Sequence, residues 1–210
     1  MTELRSAVFL LGSLVVTPVF GVLVPAAGIF SMYAAQYFAR AWARCILKWA
    51  EWSCGIRYAV RGAEHIPPGP AVIMAKHQSA WETVFLAASF PYQCWIVKRE
   101  LRWLPFVGWG LVALRCIAID RNSGVAAREQ IVEQGRRRLA QGLWVTIFPE
   151  GTRVRVGRAG RYGIGGATLA TRTGVPILPI AHNAGEFWGR NAFRKHAGTV
   201  QVVIGPLIAT

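Results

Sequence analysis

Acidic residues are scarce in this chain of 210 residues. There are 10 Asp and Glu against 24 Lys and Arg, which gives a formal net charge of +14. A chain this basic is expected to meet an anionic partner, usually nucleic acid or the anionic leaflet of a membrane. Because 53% of the residues are hydrophobic, anionic membrane lipids are the favoured partner and nucleic acid is not expected.

Cysteine is also rare. The four cysteines are widely spaced, none forms a C-x-x-C pair, and the histidines do not cluster with them. This pattern argues against a zinc site and a disulfide framework, so no metal is expected and a reducing compartment is favoured. The chain also lacks the G-x-S-x-G segment that places a nucleophilic serine in many hydrolases.

Charge is absent from residues 6–39. One straight helix of that length would measure about 51 Å, whereas a bilayer core is about 30 Å thick. Pro18 and Pro25 are expected to break or kink a helix. We interpret the segment as a membrane-embedded helical hairpin, with a tilted single span and a secretory signal as alternatives. The basic residues that follow, Arg40, Arg44 and Lys48, favour the cytoplasmic face of the inner or plasma membrane.

Short β-branched runs alternate with helical segments after this region. The runs predict strands at 56–60, 71–75, 94–97, 116–119, 143–148, 175–180 and 199–204, and the segments predict helices at 80–89, 124–141 and 164–173. Such alternation is typical of an α/β fold with a mostly parallel sheet flanked by helices. The predicted organisation is therefore a membrane-associated segment over 1–50 and a second domain over 51–210. Residues 101–111 fit either a lipid contact or a buried helix.

Polar clusters follow four of the predicted strands, at 76–77, 98–100, 120–121 and 149–153. In open α/β sheets, ligands bind outside the carboxyl ends of the strands. The four clusters are therefore expected to line one cleft, provided that their strands run in the same direction.

The segment HQSAWE, residues 77–82, carries the first candidate pair. His77 and Glu82 cannot share one face of a regular helix, because five residues rotate it by about 500°. They can meet if His77 lies on the turn before the helix, where a carboxylate would make it a better general base. S-x-x-E, residues 79–82, is also a capping box, so Glu82 could simply bond the Ser79 amide.

The segment FPEGTR, residues 148–153, carries the second candidate set. Gly151 allows a ligand to approach the backbone, Thr152 adds a hydroxyl, and Arg153 offers a planar fork to a phosphate. Glu150 is expected to hold a hydroxyl or an arginine. A β-turn with a surface ion pair is the alternative.

These two segments together resemble the lysophosphatidic acid acyltransferase (1-acyl-glycerol-3-phosphate acyltransferase) family. KREL at 98–101, IDR at 119–121 and VPILPI at 175–180 match further family blocks in the same order, so that the resemblance covers most of residues 60–206. Two positions differ from the usual pattern: Glu82 stands where many members have Asp, and Gly163 stands where a lysine is expected.

The resemblance implies a transfer of a fatty acyl group from acyl-CoA or acyl-carrier protein to lysophosphatidate, giving phosphatidate. It implies His77 as general base and Glu82 as the carboxylate that orients it. Arg153, Gly151 and Thr152 would bind the acceptor phosphate, and Glu150 would help to place the acceptor. The remaining implied roles are phosphate contacts for Lys98 and Arg121, and a wall of the acyl-donor site for Pro176 and Pro179.

No cofactor is expected beyond the acyl donor, which enters as a co-substrate. The alternatives are the same acyl transfer to another acceptor, such as a lyso-aminolipid or glycerol-3-phosphate, and a non-enzymatic basic module that binds membranes.

Overall fold

The computed structural model describes residues 1–210, of which the first 54 form two helices. α1 spans Thr2–Phe30 and α2 spans Met32–Cys54. Ser31 separates them in extended conformation, and its Oγ accepts a hydrogen bond from the Tyr33 backbone N–H at 3.2 Å. The serine therefore ends one helix and caps the next.

The two helices pack against each other in antiparallel directions. The indole N–H of Trp42 donates to Thr17 Oγ1, and that of Trp49 donates to the carbonyl of Phe9, both at 3.2 Å. A Cβ added at Gly12 would meet the Trp49 ring at 2.3 Å, so only glycine lets the helices approach this closely. The two helices therefore form a hairpin, but its turn lies at Ser31 and its second arm extends to residue 54. The insertion of this hairpin into a membrane stays a prediction.

The first helix does not break at its prolines, so the break offered as one alternative of the expected break or kink was wrong. Pro18 and Pro25 both lie inside the continuous helix α1. Each proline removes one backbone hydrogen bond, but the remaining bonds persist, and α1 is supported by its packing on α2.

Helix α1 is long and apolar enough to cross a membrane, and only a small part of it is buried within the protein. Its 29 residues correspond to about 43 Å of helix. Ile29 and Phe30, at the tip of the hairpin, are 82% and 88% exposed. Exposed apolar surface on this scale marks a surface that contacts a membrane or a partner.

The rest of the chain forms a seven-stranded sheet with flanking helices. The strands are β1 (Ile56–Arg61), β2 (Val72–Ala75), β3 (Gln93–Lys98), β4 (Ile117–Ile119), β5 (Trp144–Ile147), β6 (Ile177–His182) and β7 (Gly198–Ile204). The helices are α3 (Trp81–Ser89), α4 (Val107–Ala113), α5 (Gly124–Ala140), α6 (Gly165–Thr173) and α7 (Ala184–Phe187). All seven predicted strands and all three predicted helices are present, within one or two residues of their predicted ends.

The strand order is β1-β7-β6-β2-β5-β3-β4. Strands β6, β2, β5, β3 and β4 are parallel to one another, whereas β7 is antiparallel to β6 and parallel to β1. The four strands followed by polar clusters, β2, β5, β3 and β4, are adjacent and parallel. Their carboxyl ends therefore meet at one edge of the sheet.

Hydrophobic cores cover both faces of the sheet. Alternate residues of a strand point to opposite faces: in β2, Ile73 belongs to the core with α2 and α3, and Val72 to the core with α5 and α6. Because parallel strands are covered by helices on both sides, they are apolar throughout, which is why they were recognisable in the sequence.

The segment 101–111 is not a buried helix. It contributes part of a short 3-10 turn, Arg99–Trp103, and most of α4. Trp103 is 86% exposed and Trp109 is 50% exposed, while Gly108 is buried against the carbonyl of Arg102. The segment therefore presents aromatic side chains outward.

Candidate active site

His77 lies on the turn between β2 and α3, and its ring contacts Glu82 in the first turn of the helix. The distance from His77 Nδ1 to Glu82 Oε1 is 2.8 Å. Since a carboxylate only accepts hydrogen bonds, Nδ1 carries the proton in this contact. The neutral ring then keeps its lone pair on Nε2, as a general base requires.

Glu82 also accepts hydrogen bonds from the backbone at the start of α3. Its Oε1 lies 2.9 Å from the backbone nitrogens of Gln78 and Ser79, and Ser79 Oγ accepts from the Trp81 N–H at 3.0 Å. Both sequence interpretations of Glu82 therefore describe real contacts. A single oxygen, Oε1, makes all three contacts, whereas Oε2 is buried without a partner.

The ring of His77 is fixed on its face by Phe148. The two rings stack with centroids 3.9 Å apart and planes 9° apart. Nε2 makes no hydrogen bond within the protein and is not among the buried polar atoms. Glu82 and Phe148 thus set the orientation of the ring and leave Nε2 without a partner in the protein. Apart from the presence of Phe148 in the second motif, no sequence pattern predicts this stacking.

Glu150 connects the two motifs, which are far apart in sequence. Its side chain is fully buried. One oxygen forms an ion pair with Lys76 Nζ, and the other accepts the His77 backbone N–H at 2.7 Å. The expected hydroxyl or arginine partner was wrong, because a lysine and an amide occupy both oxygens. Lys76 belongs to the predicted polar cluster 76–77, but its pairing with Glu150 was not predicted.

Two further backbone contacts hold the turn at His77. The carbonyl of His77 accepts the N–H of Val154 at 2.7 Å. His182, at the end of β6, places Nε2 2.8 Å from the carbonyl of Lys76, while its Nδ1 accepts the Ala184 N–H at 3.2 Å. Nε2 must therefore be the protonated nitrogen of His182. This contact could have been anticipated only from the pairing of β6 with β2.

The segment after Glu150 forms a turn that presents Arg153. Gly151 has φ +67, a left-handed conformation that favours glycine, and its carbonyl accepts a hydrogen bond from the Arg121 guanidinium. Thr152 is exposed, whereas Arg153 is half-buried and its Nε has no acceptor within the protein. The structure therefore brings Arg121 to the same turn as Arg153.

The remaining predicted site residues are Lys98, Pro176 and Pro179, and they lie outside this turn. Lys98 pairs with Glu100 at 3.5 Å on the surface. Pro179 lies opposite Met74, near the carboxyl end of β2. Pro176 lies at the amino end, where its carbonyl accepts the N–H of Val72. His77 follows Val72 by five residues, which corresponds to about 16 Å at the usual rise of a strand, so Pro176 lies far from the His77 turn.

No three His, Cys, Asp or Glu side chains come together in an arrangement that could hold a metal ion. The polar groups at the carboxyl edge instead provide one base with its carboxylate, a buried ion pair and several arginines. These groups suit a proton transfer beside an anionic substrate.

Comparison with known proteins places the chain among acyltransferases. The family model described as "Acyltransferase" matches residues 57–183. A 1-acyl-sn-glycerol-3-phosphate acyltransferase from Pseudomonas aeruginosa is 48% identical over 81% of this chain and 66% of its own length. The human 1-acyl-sn-glycerol-3-phosphate acyltransferase alpha is 34% identical over 80% of this chain and 60% of its own length. The chain thus spans less than two thirds of the length of these relatives.

A solved structure has the same fold. The crystal structure of the 1-acyl-sn-glycerophosphate acyltransferase from Thermotoga maritima matches with a TM-score of 0.80, covering 99% of this chain and 85% of the other. The two sequences are 21% identical, so this match supports the fold alone. It includes the N-terminal helices and the mostly parallel sheet.

Proposed function

Because the chain belongs to the acyltransferase family, we propose that it is a membrane-associated 1-acylglycerol-3-phosphate acyltransferase. It would move a fatty acyl group from acyl-CoA or acyl-carrier protein to the free hydroxyl of lysophosphatidate, giving phosphatidate. The acyl donor enters as a co-substrate, and the reaction takes place on the cytoplasmic face of the membrane. The observation that carries this proposal is the contact between His77 Nδ1 and Glu82 Oε1, which leaves Nε2 free at the ligand-binding edge of the sheet.

The chemistry follows from that geometry. Nε2 of His77 accepts the hydroxyl proton as the acceptor oxygen bonds to the thioester carbonyl carbon. Glu82 stabilises the positive charge that develops on the imidazole. The tetrahedral intermediate then breaks its carbon–sulfur bond, and the departing thiolate takes the proton from the imidazolium. The products are the new ester and the free thiol, and His77 returns to its neutral form.

Binding of the acceptor is assigned to the turn after Glu150. Arg153 would contact the phosphate, since its Nε lacks an acceptor within the protein and a guanidinium binds phosphate through paired hydrogen bonds. Gly151 and Thr152 belong to the same turn, and Arg121 contacts it through the Gly151 carbonyl. Glu150 would act indirectly, by holding Lys76 and the His77 backbone in place.

The membrane assignment rests on α1. This helix is long and apolar enough to cross a bilayer and is mostly unburied. A lysophosphatidate molecule keeps its acyl chain in the membrane, so an enzyme that uses it benefits from lying at the headgroup plane. The basic charge of the chain, +14, would add attraction to anionic lipids.

Acyl transfer in detergent micelles tests the proposal. Labelled oleoyl-CoA is offered with lysophosphatidate, and separately with lysophosphatidylcholine and glycerol-3-phosphate, to the wild type and to His77→Ala. We expect labelled phosphatidate from the wild type only, with a loss of at least a hundredfold in His77→Ala, since general bases contribute roughly 10²–10⁴-fold. Transfer to another acceptor in preference to lysophosphatidate would overturn the substrate assignment. Full activity of His77→Ala would overturn the role of His77.

A further inference from the structure

A pocket of about 200 Å³ lies along the outer edge of β4, which is the edge strand of the sheet. We call it the β4-edge pocket. It is lined by Arg102 after β3, Arg115 before β4, and a row of side chains on α5 at spacings of four residues. That row is Gln130, Gln134 and Arg138. The β4-edge pocket shares no lining residue with the site around His77.

The pocket carries three positive charges and no negative one. None of the residues that line it is acidic, and none of its three arginines forms a salt bridge. By contrast, Arg137 on the same helix pairs with Glu133 at 2.6 Å. Desolvation raises the pKa of the Cys116 thiol in the pocket wall to about 12, so this thiol stays neutral at physiological pH.

Contacts with the edge strand explain only part of this arrangement. Gln130 Nε2 donates to the carbonyl of Ala118, and Arg138 Nε donates to the carbonyl of Arg115, both at 3.0 Å. These bonds satisfy carbonyl groups of an edge that has no neighbouring strand. The terminal nitrogens of Arg115 and Arg138 are not needed for this purpose. They converge on one neutral oxygen, Gln141 Oε1, at 3.5 and 3.4 Å.

Arg102 has no structural partner. Its exposed side chain makes no hydrogen bond or ion pair, although it lines the pocket. The three guanidinium groups line one pocket that has no acidic residue, and like charges repel one another. An anionic ligand would relieve this repulsion.

The pocket adjoins apolar surface. Leu111 and Val112 of α4 form part of its wall, and Val112 is 51% exposed. On its other side α4 packs closely on the apolar helix α1. A Cβ added at Gly110 of α4 would lie 3.9 Å from Val24 of α1, and one added at Gly28 of α1 would lie 2.9 Å from Ala113 of α4. The cationic pocket therefore borders a surface that continues onto the candidate membrane helix.

We propose that the β4-edge pocket binds the phosphate headgroup of an anionic phospholipid, with the acyl chains lying along α4. A volume of about 200 Å³ is below the roughly 300–1,000 Å³ of pockets that hold whole drug-sized ligands, so it suits a headgroup and not an entire lipid. Arginine forks match phosphate geometry. The exposed apolar side chains of α4 can contact the acyl chains of the lipid. This lipid would be a bound ligand separate from the acceptor, so the proposal does not depend on the proposed acyl transfer.

Lipid binding in detergent tests this site. Dioctanoyl-phosphatidylglycerol is the anionic probe, because its phosphodiester headgroup differs from the monoester of the proposed acceptor, and dioctanoyl-phosphatidylcholine is the zwitterionic control. Binding is measured by native mass spectrometry on the full chain, for the wild type and for R102Q/R115Q. The matched control R128Q/R136Q removes the same charge from two other arginines of α5, of which Arg128 is half-buried and Arg136 exposed. Arg138 is left unchanged because it bonds the edge strand.

We expect the wild type and R128Q/R136Q to bind phosphatidylglycerol at least tenfold more tightly than phosphatidylcholine, and R102Q/R115Q to lose that preference. Unchanged binding in R102Q/R115Q, or an equal loss in R128Q/R136Q, would overturn the site. Displacement of the lipid by an equal concentration of glycerol phosphate would show a site for free phosphate instead. A selective loss of acyl-carrier-protein binding in R102Q/R115Q, with lipid binding intact, would assign the pocket to a protein partner. If the double variant melts early, R102Q alone carries the test, since this side chain makes no hydrogen bond within the protein.

Discussion

The buried carboxylate of Glu150 accepts the backbone N–H of His77, with 2.7 Å between His77 N and Glu150 Oε2. This contact joins two motifs that are more than 70 residues apart in sequence. It arises because β2 and β5 are parallel neighbours, so the segments that follow them emerge side by side. The position of the proposed base therefore depends on the second motif as well as on its own.

Removing Glu150 should cost stability and not only activity. In Glu150→Ala, Lys76 loses the partner of a buried ion pair, a change that typically lowers the free energy of unfolding by about 3–5 kcal/mol. Urea denaturation of the detergent-solubilised protein measures this. The exposed pair between Lys98 and Glu100 provides the control, since Glu100→Ala should change the free energy by less than about 1 kcal/mol. Equal effects of the two substitutions would contradict the structural role of Glu150.

Glu82→Gln should lower kcat for acyl transfer by at least tenfold and leave α3 folded. The glutamine oxygen can still accept the backbone N–H groups of Gln78 and Ser79, as in a capping box, but a neutral amide no longer stabilises a protonated His77. Initial rates and circular dichroism spectra measure the two effects. Glu82→Asp, which keeps the charge, is the control and should retain more activity. Wild-type kcat in Glu82→Gln would leave Glu82 as a helix cap only.

Arg153→Ala should weaken use of the phosphorylated acceptor. A hydrogen bond to a charged group contributes about 1.5–3 kcal/mol, so kcat/KM for lysophosphatidate should fall roughly tenfold to a hundredfold. Kinetics at saturating acyl donor measure this loss. Monoacylglycerol, which lacks the phosphate, is the matched substrate, and its slow transfer should be unchanged by the substitution. A parallel fall for both acceptors would place Arg153 outside the phosphate site.

Charged residues at the tip of the N-terminal hairpin should release the protein from membranes. Ile29 and Phe30 are 82% and 88% exposed, and moving one such side chain from water into lipid contributes about 1.5–3 kcal/mol. The double variant I29E/F30E should therefore float with liposomes at least tenfold less efficiently. Val125→Glu, at another exposed apolar position (63%), is the control and should float normally. Unchanged flotation of I29E/F30E would assign membrane contact to a different surface.

The sheet could be predicted from sequence because its strands are buried on both faces. A parallel strand that is covered by helices on both faces consists of consecutive apolar residues. Such runs are visible in the sequence, for example at 71–75 and 143–148. The course of α1 could not be predicted in this way. The conformational preference of proline predicts a break or a kink at Pro18 and Pro25. The helix nevertheless continues through both positions, where it packs on α2.

By itself the sequence determined which residue types stand at the ends of the apolar strands, and so which chemistry is available: an imidazole, carboxylates and arginines beside parallel strands. Their mutual contacts were decided only by the tertiary structure. Three examples are the stacking of His77 on Phe148, the ion pair between Glu150 and Lys76, and the three arginines that line the β4-edge pocket. In each example the residues come from different elements. Such contacts depend on strand order and crossover direction, which no local pattern of residues records.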